Sequence, residues 1–353
     1  MKKHILTAWL LFVPLVLAGI IGADSALSGE KERVVHIYTW SDYLDSEVLR
    51  DFEQANNCRV DFDYFDSYDT MYERIRNGET GYDLITPTAS LAEQMAQRGL
   101  LMNLNRRLIP NMRHLDTTLL LPFPDLEMRY HVPYTWSLTG VGYNSRKVPP
   151  EARGGWDIFA RPGYERRASL MNDPRYVIGG ALKHLGYSLN STDRGEIEAA
   201  GEILAKWKRS VATYGVNEPR FELERGKLDF IEAFSGDMAK AVINNPDLGF
   251  YIPREGSVLN SDFFVIPVDA ERHELAHAFI NHMFNPRNAA RNMETVLYYM
   301  PNRAAIAQLG AEYKNHPFLF FPREDIERSE AVRSVGDSLS VYEEVWESLL
   351  IDD

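Results

Sequence analysis

Between Val34 and Gly99 the chain alternates strand-like and helix-like stretches three times, and this alternation is the strongest restraint on its fold. Val34 to Thr39 is a run of β-branched and aromatic residues with no helical period. Leu44 to Asn57 places Leu44, Val48, Leu49 and Phe52 on one face of a helix. Arg59 to Phe65 alternates as a strand, and Thr70 to Asn77 is helical up to Gly78. Tyr82 to Pro87 reads as a short buried strand, and Leu91 to Gln97 as a helix stopped by Gly99. Strands interleaved with helices predict an α/β architecture built on a parallel sheet.

The first of these strands runs directly into Trp40-Ser41-Asp42-Tyr43. In an open α/β sheet, ligands bind in the crevice beyond the carboxyl ends of strands. Two aromatics bracketing a carboxylate suit an organic cation, because π faces attract it and the carboxylate pairs with it. The competing reading is a strand end with buried aromatics and a helix cap, and these four residues alone do not decide between them.

The remaining chain continues the pattern. Tyr130 to Trp136 and Thr139 to Asn144 are expected strands near a crossover into a second lobe, and Pro149 to Gly163 is expected to be surface connection. Ala168 to Met171 is a strand and Tyr176 to Leu185 a helix. Asp193 and Glu196 form a capping box for a helix that runs to about Ser210. Strands follow at Leu228 to Phe234 and Leu248 to Ile252, with a helix from Asp237 to Asn244 between them. Asp262 to Val268 is a further strand, Glu271 to Phe284 and Arg287 to Tyr298 are helices, and Ser334 to Leu350 is a closing amphipathic helix.

A length of 353 residues suggests two domains. The net charge of −13, with no basic stripe, argues against nucleic acid and is compatible with cationic ligands. The single cysteine, Cys58, allows neither an intramolecular disulfide nor a thiolate metal cluster. At the N-terminus, Lys2 and Lys3 precede an apolar run from Ile5 to Ile21 and the small residues of Gly22 to Ala26. Residues 1–26 are therefore expected to be a signal peptide or, if uncleaved, an N-terminal anchor, since the run is close to the roughly 18 residues that a span needs. Leu17-Ala18-Gly19-Ile20 looks like a lipoprotein box with Ile20 where the lipidated cysteine would stand. The expected location is periplasmic.

Taken together, several stretches resemble one family, the spermidine/putrescine-binding proteins of bacterial polyamine ABC importers. Trp40-Ser41-Asp42-Tyr43 resembles its Trp-Thr/Ser-Glu/Asp-Tyr ligand motif. Thr70-Met71-Tyr72, Tyr82 to Thr88, Val132 to Trp136 and Gly140 to Asn144 follow in the family's order. So do Leu185-Gly186-Tyr187-Ser188 with Asn190 to Ala200, then Asp262 with Ile266-Pro267, and Tyr298 before Pro301-Asn302. The resemblance implies a two-lobed periplasmic-binding-protein fold (type II-like) with the ligand cleft between the lobes. It assigns residues 33–135 and 262–300 to the first lobe, and 136–261 and 301–353 to the second. By position it implies ligand contacts from Trp40, Ser41, Asp42, Tyr43, Thr88, Asp173, Phe234, Asp237, Asp262 and Tyr298. Phe234-Ser235-Gly236-Asp237 resembles the Trp-Ala-Gly-Asp of the putrescine-binding branch. The chain departs from the family at Tyr176, where the spermidine-binding branch has a second acidic residue, at Asn260 in place of a cleft Trp, and at Ser90 in place of a Tyr. The implied partners are a small polyamine and an inner-membrane ABC permease. A monomer with no cofactor, no metal and no enzymatic activity is expected.

The chemistry agrees with that set: ammonium groups separated by methylenes need carboxylates at intervals with aromatic walls between them. Considered singly, Asp173 also reads as a turn residue before Pro174, and Asp237 as a helix cap. Trp136 is read as hinge packing, and Met71 and Met95 as core fillers. A receptor for another cationic or zwitterionic molecule is the alternative within this fold. A remoter one is a zinc metalloprotease, because His273-Glu274-Leu275-Ala276-His277 fits H-E-x-x-H. Leu275, Phe279 and Met283 make the buried stripe of that helix, which is expected to leave both histidines toward solvent.

Overall fold

The computed structural model describes residues 33–79, 81–117 and 127–351. The expected leader, residues 1–26, lies outside the described residues. Strand β1 (Val34–Thr39) turns Val35, Ile37 and Tyr38 into the core. Strands β2 (Arg59–Tyr64) and β3 (Leu84–Ile85) pair with it on either side, both parallel, as the alternation requires. The helix Ser46–Asn56 makes the first crossover and buries Val48 and Phe52. Each such side chain contributes about 1.5–3 kcal/mol on leaving water.

Strands β4 (His131–Asn144), β5 (Ala168–Leu170), β6 (Val211–Tyr214), β7 (Phe230–Phe234), β8 (Leu248–Tyr251), β9 (Val258–Val265) and β10 (Glu330–Ala331) follow. The sheet order is β2-β1-β3-β9-β4-β7-β5-β6, with β8 also on β4 and β10 on β9. The stacks β2-β1-β3 and β7-β5-β6 are each internally parallel. The long antiparallel pair β4 and β9 joins them. Two α/β halves thus share a pair of crossing strands. The carboxyl ends of β1, β5 and β7 all run toward that crossing, which is where an open sheet places a ligand.

The structure corrects several expectations. The two strands expected around Trp136 to Thr139 are one continuous β4. Residues 131–138 pair with β9, and from Thr139 onward the same strand pairs with β7 and β8. The strand changes partner without turning. Its one irregularity lies between Pro133 and Thr135, where proline has no N–H for the ladder. Strand β9 starts at Val258, not Asp262, because the polar run Asn260-Ser261-Asp262 is paired along its length with β4. Pro149 to Gly163 is no surface connection: Trp156, Ile158 and Phe159 are fully buried, and Trp156 lies 6.2 Å from the ring of Trp207. The Asp193 cap forms as expected, but Glu196 bonds the Ser191 hydroxyl, which in turn accepts the Asp193 N–H. Met71 and Met95 are fully buried. Trp136 is buried edge-on against Tyr299 at 5.0 Å, beside the crossing strands.

Candidate functional site

At the centre of the molecule lies the carboxylate of Asp262, 1% exposed on the crossing strand β9. Its two oxygens are claimed by two phenols of the first half: Tyr43 donates to Oδ2 and Tyr68 to Oδ1, each at 2.5 Å. The Thr135 hydroxyl lies against that of Tyr43, and the Asn260 amide is beside the carboxylate. Burial pushes Asp262 up to about 7, against the pull of these hydrogen bonds. All its partners are neutral. A buried carboxylate is costly to ionise unless a cation reaches it.

The chain leads to this point from several strands. After β1, Asp45 caps the next helix, accepting from the Glu47 and Val48 N–H groups. The cap is therefore Asp45 rather than Asp42, and Asp42 lines the cavity. It does so in a left-handed turn at φ +53°, a conformation that Asp tolerates better than most residues. Trp40 stands edge-on to Phe65 and Tyr68 at 4.7 and 5.1 Å. From the second half, β7 ends in Phe234, and the following helix Ser235–Asn244 brings in Asp237 and Lys240. Gly236 is needed here, because a Cβ at that position would stand 2.3 Å from the Tyr298 ring. Burial raises Asp237, while Lys240, Arg220 and the Tyr298 hydroxyl favour its ionised form.

One cavity therefore gathers Trp40, Ser41, Asp42, Tyr43, Phe234, Asp237, Asp262 and Tyr298, eight of the ten residues expected from sequence. The space open to water centres in it is about 30 Å³, more than the roughly 10–15 Å³ that one water needs. Thr88 and Asp173 are not in it; they line an adjoining cavity of about 610 Å³ that shares Tyr68 with the first. Asp173, whose alternative reading was a turn residue before Pro174, caps the helix Pro174–His184 through the Arg175 and Tyr176 N–H groups, whereas Asp237 lies within its helix and is not the cap. Asp173 also keeps some solvent contact at the cavity wall. Burial, and then the charge of Asp69 across the cavity, push it up to about 7.

Sequence reasoning missed Tyr68, Asp69, Lys240, Val216 and Asn217 as cavity residues. Lys240 carried a signal, since it sits three residues after Asp237, on the same helix face. The two departures at Tyr176 and Asn260 satisfy each other, the phenol donating to Asn260 Oδ1 at 2.6 Å.

The expectation that His273 and His277 both face solvent is half wrong. His273 is exposed, but His277 is 1% exposed. Its Nε2 accepts the Asn105 N–H at 2.9 Å, and its Nδ1 donates to His273 O at 2.6 Å. Both ring nitrogens are thus taken by the main chain, which gives the histidine a structural task and leaves its one lone pair, on Nε2, already engaged.

A family model described as bacterial extracellular solute-binding protein matches residues 47–320. The spermidine/putrescine-binding periplasmic protein of Salmonella typhimurium is 30% identical over 330 residues, covering 93% of this chain and 94% of that one. The putrescine-binding periplasmic protein of Escherichia coli is 27% identical over 327 residues, covering 87% and 88%. The spermidine/putrescine ABC transporter substrate-binding protein of Streptococcus pneumoniae, solved in complex with calcium and HEPES, superposes with a TM-score of 0.78. It is 29% identical, covering 91% of this chain and 99% of that one.

Proposed function

The chain belongs to the bacterial extracellular solute-binding proteins, which bind and hand over solutes and are not enzymes, and from that premise we propose that it binds a linear polyamine in the periplasm and delivers it to an inner-membrane ABC permease. The observation that carries this reading is Asp262: a carboxylate buried at the crossing of the two halves, walled by tyrosines, with no cation of the described residues bonded to it. An ammonium group supplies the missing charge, and the rings of Trp40, Tyr43, Phe234 and Tyr298 cover the methylenes on either side. Asp173 and Asp69, facing one another across the adjoining cavity, form a second station where like charges repel until a cation lies between them.

In this reading the lobes are residues 33–135 with 262–300, and 136–261 with 301–353, and they move about β4 and β9. Ligand entry and capture proceed by hinge bending about that pair. The protein acts as a monomer. Thermal shift with putrescine, cadaverine, spermidine, spermine and amino acids tests the proposal, since a ligand that binds only the folded chain must raise its melting temperature. No shift from any polyamine at millimolar concentration would reject it, and a shift from amino acids alone would redirect it to a zwitterion in the same cleft.

A further inference from the structure

One wall of the cavity carries a cation that belongs to the protein. Lys240 reaches from the second half and donates from Nζ to the main-chain oxygen of Asp42, in the first half, at 3.2 Å. It stands three residues after Asp237 on the same helix, and both side chains line the cavity. Its ammonium is bonded to the carbonyl of the left-handed turn at Asp42, and the Asp237 carboxylate is near enough to act on its charge. Burial disfavours its charged form, Asp237 and Asp42 favour it, and Arg220, on the neighbouring helix Asn217–Glu224, opposes it.

We infer that Lys240 is a built-in ammonium that fills one of three cation stations along the cleft and so sets the number of charges the ligand carries. The three stations are Asp237 with the Asp42 turn, Asp262 with its two tyrosines, and Asp173 facing Asp69. With the first held by Lys240, two remain, and the ligand of matching charge is a diamine. A triamine has one ammonium left over. That group must either stop short of a carboxylate or approach Lys240 as a like charge, and such juxtaposition is penalised inside a closed cleft. Lys240 also ties the halves together across the cavity, as a ligand ammonium would.

The inference rests on the polyamine reading, and the test separates the two. Calorimetric titrations with putrescine and with spermidine are made on the parent chain, on Lys240→Met, which keeps the length and removes the charge, and on Lys240→Arg, which keeps the charge. The parent is expected to prefer putrescine. Lys240→Met is expected to shift the spermidine-to-putrescine affinity ratio toward spermidine by about tenfold to a hundredfold, and Lys240→Arg to hold the parental ratio. A ratio unchanged in Lys240→Met, or an equal gain for both amines, overturns the inference while the polyamine reading stands. If neither amine binds the parent, both fall together.

Discussion

Replacing Asp262 by asparagine separates what the carboxylate does for the fold from what it does for a ligand. In the free chain the group titrates at about 7 rather than its ordinary 3.8, chiefly because it is buried. Across that window the folded protein holds a proton that the unfolded chain has released, so stability falls as pH climbs from about 4 to about 7. Three units of raised pKa correspond to at most about 4 kcal/mol. Asparagine has nearly the same shape, and its amide meets the Tyr43 and Tyr68 hydroxyls without a charge to desolvate. At pH 5 the variant is expected to lead the parent by about 1–2 kcal/mol, and at pH 8 by up to about 4 kcal/mol. Binding goes the other way. An ammonium needs the ionised carboxylate, which a group titrating near 7 supplies about ten times more often at pH 8 than at pH 6. The Asp262 contribution to affinity therefore falls about tenfold over those two units, and Asp262→Asn is expected to lose that part of the pH dependence together with about 2–5 kcal/mol of binding. Asp173 titrates in the same range, so a residual slope persists in the variant. Calorimetry with putrescine and thermal unfolding, both in buffers from pH 5 to 8, read the two effects. A variant that binds as tightly as the parent, or one no more stable than it at pH 8, refutes this account of the site.

Three further substitutions follow from the same geometry. Tyr176→Glu replaces a ring packed edge-on to Phe234 at 5.6 Å and bonded to Asn260 with a carboxylate close to Asp173, Asp262 and Glu232; denaturant melts are expected to show a loss of about 3 kcal/mol without ligand, and calorimetry a gain for spermidine over putrescine, an unchanged ratio counting against a selectivity role. Gly236→Ala puts a methyl where the Tyr298 ring lies and is expected to weaken putrescine binding about tenfold by displacing that ring, with parental affinity as the contrary result. His277→Ala removes the acceptor of the Asn105 N–H and is expected to cost about 1–3 kcal/mol of stability in denaturant melts while leaving amine affinity unchanged; a loss of affinity would show that this helix serves the site.

How much of this could be read in the sequence depends on how local each feature is. The βαβ alternation after Val34 gave the parallel stack, because crossover helices and buried strands each leave a short-range pattern. The polar run Asn260-Ser261-Asp262 hid the first half of β9, since its pairing with β4 is a long-range fact that no window of residues contains. Pro149 to Gly163 looked like surface because Pro and Gly dominate its composition, whereas Trp156 and Phe159 find their partners at Trp207 and Phe230, far along the chain. Eight of the ten expected site residues meet in one cavity, because strand ends and motif positions constrain where they fall. Asp173 and Thr88 line the adjoining cavity instead, since sequence order says nothing of spacing along a cleft.

Lys240 is the instructive omission. A search for carboxylates and aromatics that would hold a cation passes over a lysine, because a like charge looks out of place in such a site. On a helix, however, three residues after Asp237 is where a partner for that carboxylate would stand, and the fold then brings the Asp42 carbonyl to within 3.2 Å of its ammonium. An acidic cleft that must stay folded without ligand faces mutual repulsion among its carboxylates, and it has two local remedies: keep some of them protonated, or supply a cation of its own. This chain uses both, protonation at Asp262 and Asp173, which titrate at about 7, and a lysine at Asp237. Only the protonated stations can exchange their proton for a ligand ammonium, so selectivity resides in which remedy the fold applies at each station.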